Sequence, residues 1–165
     1  MSALSVGVSA PDFTLSTTDG QQFNLRETLS RGPVVAAFFK ISCPVCQYTL
    51  PFLERIYQAY GNHKVTIVGI SQNDKQDTAA FMREYGITFP VLLDNTKTYP
   101  ASNAYGLTNV PSTFWIAQDG DIEISSVGWV RKDVERINGL ASEATGNGSK
   151  PVFHGGEQVA DFRAG

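Results

Sequence analysis

Residues 34–39 read Val-Val-Ala-Ala-Phe-Phe, six β-prone residues with no polar position on either face. Side chains alternate between the two faces of a strand, so a strand apolar at every position must be covered on both sides. That places the segment in the middle of a mainly parallel sheet with helices above and below it. Just downstream, Lys40-Ile41-Ser42 leads into Cys43-Pro44-Val45-Cys46, and Leu50, Leu53, Ile56, Tyr57 and Tyr60 then recur at helical spacing up to Gly61-Asn62. The pattern predicts strand, short turn and helix, the helix running from about Pro44 to Tyr60. Pro51 lies within it and is expected to kink its axis.

The other elements alternate in type. Phe13 and Leu15, then Asp19-Gly20, then Phe23 and Leu25 predict an N-terminal β-hairpin, with a short helical turn over Leu25 to Ser30. Val65 to Ile70 is a second central strand. Asp74 to Tyr85 is a second major helix, with Ala79, Ala80, Met82 and Tyr85 as inner positions and Gly86 as its stop. A short strand at Pro90 to Leu93 precedes a short helix at Thr98 to Tyr105, interrupted by Pro100. Strands at Thr113 to Ala117 and Ile122 to Val127 flank the turn signal Gln118-Asp119-Gly120-Asp121, and Arg131 to Leu140 is a last amphipathic helix. Order and periodicity together give an α/β protein with a central mixed sheet flanked by helices. Residues 1–144 form one domain. Residues 145–165 turn to Gly, Ser, Asn and Pro and read as a linker and tail, whose Val152, Phe153, Val159 and Phe162 are expected to dock.

Composition narrows the function. A formal charge of -3 and the lack of any Lys/Arg run argue against nucleic acid and against a membrane surface as partners. No apolar stretch reaches transmembrane length, and Met1 to Pro11 has neither a basic n-region nor an apolar h-region. As written the chain reads as cytoplasmic; with a leader already removed, a periplasmic or other extracytoplasmic protein would read the same way. No phosphate loop, nucleotide fingerprint or metal-ligand cluster is visible, so no cofactor and no metal are expected. His63 and Asp74 read as solvated surface residues, and Trp115 and Trp129 as packing residues, Trp129 near the cysteine pair.

The chemistry then falls to Cys43 and Cys46, the only two cysteines. A sulfur at a helix start faces orphan backbone N–H groups and the positive end of the macrodipole, which favour the thiolate. Lowering its pKa by about two units needs roughly 2.7 kcal/mol. The dipole supplies about 0.3–1 kcal/mol at exposed sites and up to ~2 when partly buried, so direct hydrogen bonds must add to it. The N–H groups of Val45 and Cys46 are the candidate donors, while Pro44 has none and costs little at the first helical turn. Cys43 is the candidate nucleophile and Cys46, one turn on and more buried, the resolving thiol. The bland alternatives are two inert core cysteines or half of a zinc site; zinc wants four ligands, and only His63 and His154 remain, without paired spacing.

Val110-Pro111 opens the strand near Thr113. A proline there can be a simple edge device, and general X–Pro statistics favour trans, with cis at only ~5–6%. Taken in order, Phe39, Cys43-Pro44-Val45-Cys46, Pro51 and Val110-Pro111-Ser112-Thr113-Phe114 resemble the thioredoxin fold. The opening Gly7, Ala10-Pro11, Phe13 and Leu15, with Asp19-Gly20, is similar to the redoxin group (alkyl hydroperoxide reductase/thiol-specific antioxidant), including its TlpA-like branch of thiol–disulfide oxidoreductases. The resemblance covers about Val6 to Leu140. It implies that Pro111 is cis and faces the cysteines, that Val110 offers its backbone to a substrate chain, that the partners are protein thiols and disulfides, and that the stretch from about Pro90 to Tyr105 is a central insertion.

Three positions depart from that pattern. Ala37 stands where thioredoxins carry a buried aspartate, Thr49 where TlpA-like reductases often carry a glutamate, and Ser42 where an aromatic residue is common. Lys40, Thr49 or water are the candidates to move the proton instead. Two alternatives follow. A thiol peroxidase would use Cys43, although Lys40 occupies the position where such enzymes carry a hydroxyl. A binding module would keep the fold without the exchange chemistry.

Overall fold

The computed structural model describes residues 3–62 and 64–165, so the surface role expected of His63 lies outside the described residues. The chain opens with the hairpin β1 (Thr14–Thr17) and β2 (Gln22–Asn24), followed by the short helix α1 (Leu25–Leu29). Strand β3 (Val34–Phe39) feeds the long helix α2 (Pro44–Tyr60), and β4 (Thr66–Ser71) feeds α3 (Lys75–Tyr85). Then come β5 (Val91–Leu93), α4 (Pro100–Ala104), β6 (Ser112–Ile116), β7 (Ile122–Val127), β8 (Trp129–Val130), α5 (Arg131–Thr145) and β9 (Phe162–Arg163).

Seven strands form one sheet in the order β2-β1-β5-β4-β3-β6-β7. The central strands β3, β4 and β5 are parallel, while β6 and β7 on one side and the hairpin on the other are antiparallel. All six residues of β3 are fully buried. Val35, Ala37 and Phe39 face the core beneath α2, α3 and α5, and Val34, Ala36 and Phe38 face a second core closed by α1, α4 and Tyr105. The unbroken apolar run is therefore explained: each face of β3 has its own helical cover. Strand β5 also joins the hairpin to the sheet, so the predicted central insertion is where the hairpin docks.

Several expectations need correction. The buried face of α3 carries Thr78 and Phe81, with Met82 and Tyr85 half-buried and Ala80 exposed. Thr78 can be buried because its hydroxyl meets that of Ser71 at 2.7 Å. Pro100 does not interrupt a helix but begins one, a position where its missing N–H costs nothing. The buried Asp94 carboxylate takes the early amides of that helix, from Ala101 at 3.2 Å and Ser102 at 2.9 Å. Helix α5 continues past Leu140 to Thr145 and ends at Gly146 in the left-handed region. In the last stretch Val152 is buried and Phe153 and Val159 pack on the core, but the Phe162 side chain is 61% exposed. Both tryptophans are buried packing residues.

Candidate active site

The turn between β3 and α2 is held by side chains from outside it. The Ile41 N–H donates to Asn73 Oδ1 at 2.9 Å, and Gln47 Nε2 donates to the Ile41 carbonyl at 2.9 Å. With the turn fixed, Cys43 takes the N-cap position of α2, extended at φ −85° and ψ 116°, and Pro44 takes the first helical turn. The Cys43 sulfur does the work of a capping oxygen and accepts the Cys46 N–H at 3.1 Å. Of the two expected donors only Cys46 reaches it; no bond from Val45 to this sulfur is present among the described residues.

The two sulfurs sit in different surroundings. Cys43 is half-buried and opens onto a cleft of about 460 Å³ shared with Lys40, Gln72, Asn109, Val110 and Gly165. Cys46 is fully buried beneath it. Burial pushes the Cys46 thiol far above the ordinary cysteine range, and a hydrogen bond with Cys43 adds to the rise. A backbone bond and the charge of Lys40 pull weakly the other way. Cys46 therefore stays protonated at neutral pH, leaving the outer sulfur as the accessible one.

Opposite the pair, the Val110–Pro111 peptide is cis, as the resemblance implied and against the general trans preference. The Cys43 thiol donates to the Val110 carbonyl across 3.5 Å. Val45 is buried and Pro44 exposed, so the two residues between the cysteines face opposite ways. Thr49 is buried, and its hydroxyl donates to the Val45 carbonyl at 2.7 Å. Lys40 is exposed at the rim of the cleft. Trp129 packs on α2, edge-on to Tyr48 with ring centres 4.9 Å apart. No group of three His, Cys, Asp or Glu residues that could hold a metal occurs among the described residues.

Sequence reasoning missed Asn73 and Gln47, which lock the turn, and Asn109 and Gly165, which line the cleft. The first two carry ordinary surface residue types. The last two are brought to the site by contacts between distant parts of the chain.

A dithiol at a helix start, facing a cis-proline loop at the end of a mixed sheet, defines a thioredoxin-fold protein with a redox-capable site. The AhpC/TSA family profile matches residues 6–125, and the chain belongs to that family. Among curated proteins it is similar to the thiol-disulfide oxidoreductase ResA of Geobacillus thermodenitrificans, 30% identical over 132 residues that span 79% of this chain and 74% of the relative. ResA of Geobacillus kaustophilus is 29% identical over 136 residues, 81% of this chain and 76% of the relative. Among solved structures, the thioredoxin domain of a thiol-disulfide oxidoreductase from Bacteroides vulgatus superposes with a TM-score of 0.74 at 19% identity, covering 84% of this chain and 99% of that one. A thiol:disulfide interchange protein of the thioredoxin family from Chlorobium tepidum gives a TM-score of 0.69 at 27% identity over 84% of this chain and 99% of that one. Fold, cysteine pair and relatives agree on the class, a thiol–disulfide oxidoreductase. No helix among the described residues is long and apolar enough to cross a membrane.

Proposed function

We propose that Cys43 attacks disulfides in polypeptide substrates and that Cys46 resolves the mixed disulfide. The observation carrying this reading is the division of the pair: Cys43 caps α2 and opens on the cleft, while Cys46 lies buried one turn along and donates its amide to the Cys43 sulfur. The Cys43 thiolate attacks one sulfur of a substrate disulfide. That S–S bond breaks, and the other substrate sulfur leaves as a thiolate and takes up a proton. Cys46 then loses its proton and attacks the Cys43 sulfur, expelling the second substrate thiolate and closing the Cys43–Cys46 disulfide. Two electrons have passed to the substrate, and a second thiol couple restores the dithiol. Run backwards, the same steps oxidise a substrate dithiol.

Val110 and Pro111 form the wall against which the substrate chain lies, with the Val110 backbone as its point of contact. Pro44 and Val45 set the helix start that fixes the two sulfurs one turn apart. Lys40 at the rim, water entering the cleft or the Thr49 hydroxyl carries the proton of Cys46. A peroxidase of this family would carry a hydroxyl three residues before Cys43 to orient peroxide; Lys40 occupies that position, although Ser42 lies adjacent to the cysteine.

Insulin-type disulfide reduction tests the reading. Cys43→Ser abolishes it, and Cys46→Ser accumulates mixed disulfides through Cys43. Equal activity of wild type and Cys43→Ser ends the proposal, and fast peroxide consumption lost in Cys43→Ser moves it to the peroxidase.

A further inference from the structure

Residues beyond α5 run back across the molecule to the cleft. Val152 is buried, and the Phe153 ring meets Phe52 at 5.4 Å with the Arg131 guanidinium 4.9 Å above it. Arg55 grips Glu157 with two bonds of 2.7 and 2.8 Å and gives another to the Val152 carbonyl at 3.1 Å. Ala160 is held at both ends: its N–H reaches the Tyr48 hydroxyl at 3.1 Å, and its carbonyl accepts Trp129 Nε1 at 2.6 Å. From there the chain extends as β9, pairing antiparallel with β8.

Its last residues then meet the site. Asn109 Nδ2 donates to the Gly165 carbonyl at 3.1 Å. A Cβ on Gly165 would stand 2.3 Å from the Val110 carbonyl oxygen, the same oxygen that accepts the Cys43 thiol. Gly128 lies on the other side at φ +76°, where a Cβ would come within 2.5 Å of the Arg163 carbonyl. Two glycines thus let this strand lie flat between the Val110 loop and Gly128, beside the nucleophile.

We propose that residues 161–165 are a displaceable strand seated on the surface that a substrate polypeptide uses, and that the substrate enters by taking over its backbone contacts at Val110, Gly128 and β8. This rests on the exchange reading above. The two halves of the segment are built differently. Residues 152–160 are anchored by core burial, an ion pair and aromatic contacts. Residues 161–165 are exposed, and their side chains stay outside the core, with the Arg163 guanidinium 4.8 Å over the Tyr48 ring. Edge contacts made mainly by backbone, with one solvent-facing cation–π contact, open at low cost, and the backbone part can be replaced one for one by another extended chain. The partner so defined is an extended polypeptide flanking a cysteine, with small residues where it crosses Val110. A small disulfide reaches Cys43 through the cleft without moving the strand.

Linkage makes the proposal testable, because two chains competing for one surface weaken each other equally. In Cys46→Ser protein, Cys43 is joined by disulfide either to a short unstructured peptide with one central cysteine or to 2-mercaptoethanol. Each is supplied as its mixed disulfide with thionitrobenzoate, which leaves as the free thiolate. Hydrogen exchange is then followed at the amides of 161–165 and at Arg131, whose N–H bonds the Asp161 carbonyl. The peptide adduct is expected to exchange there roughly fivefold faster or more, the low end of couplings between linked sites. Equal protection in the two adducts overturns this proposal alone. Failure of both adducts to form overturns the exchange reading and this one with it. In the two-cysteine protein, Glu157→Gln is expected to speed reaction with the peptide disulfide by roughly two- to fivefold, the weight of a loosened ion pair, and to leave the rate with 2-hydroxyethyl disulfide unchanged. An unchanged or slower peptide rate counts against the strand as a competitor.

Discussion

The Cys46 amide points at the Cys43 sulfur from 3.1 Å, so the side chain that caps the helix is also the one proposed as nucleophile. The two roles separate by substitution. Serine caps helices well and alanine does not, a difference of about 0.5–2 kcal/mol. Cys43→Ser should therefore unfold a few degrees above Cys43→Ala, at ~2–4 °C per kcal/mol for a chain of this size, while both lose disulfide reduction. Thermal unfolding of the reduced proteins measures it. Equal melting temperatures would mean the sulfur is no cap.

Burial of Cys46 sets a second expectation. Its thiol pKa is raised above the ordinary 9.0 in the folded state, chiefly by loss of hydration. The folded protein therefore holds this proton more tightly than the unfolded chain does. The associated stability is fully present below pH 9 and is lost as pH climbs toward the raised value, at up to ~1.4 kcal/mol per pH unit. Reduced wild type should lose stability to alkali more steeply than Cys46→Ala, in urea unfolding between about pH 8 and 11. Parallel curves would place Cys46 in contact with water.

What could be read from the sequence divides by range. Strand β3 and helix α2 were legible because an unbroken apolar run and a regular helical stripe are local signals, and the cysteines fall at the junction between them. The inner face of α3 was not, because alanines look apolar while the buried Thr78 is paid for by a hydroxyl on β4, a partner no local pattern reveals. The same limit hid Asn73, which fixes the turn before Cys43 from just past the end of the neighbouring strand β4. It hid Gly165 most fully: a glycine arriving through backbone contacts leaves no side-chain signature.

Thr113, two residues after Pro111, is 3% exposed, and its hydroxyl has no hydrogen-bond partner among the described residues. It stands across from Ala37 on β3 and Ser126 on β7. A buried hydroxyl without a partner carries a desolvation cost of about 1–3 kcal/mol that an isosteric apolar group avoids. Thr113→Val is expected to stabilise the fold by about 1 kcal/mol, raising the melting temperature by ~2–4 °C. A clear drop in stability would show that the hydroxyl is satisfied in solution, for instance by a buried water at the position Ala37 leaves small.

Glu157 governs the acid side. The two bonds from Arg55, with a third from the His154 N–H at 3.1 Å, hold its carboxyl down to about 2 from the ordinary 4.5. A depressed carboxyl stabilises the docked segment above its ordinary value, and that contribution fades as pH falls from 4.5 toward about 2. The Trp129 indole N–H, bonded to the Ala160 carbonyl, reports docking through its proton resonance. In wild type this resonance should shift as pH falls through that window, while Arg55 stays charged throughout. Glu157→Gln should begin nearer the undocked position at neutral pH and remain flat across the same range. An identical titration in the two proteins would mean that the Arg55–Glu157 pair does not hold the segment in place.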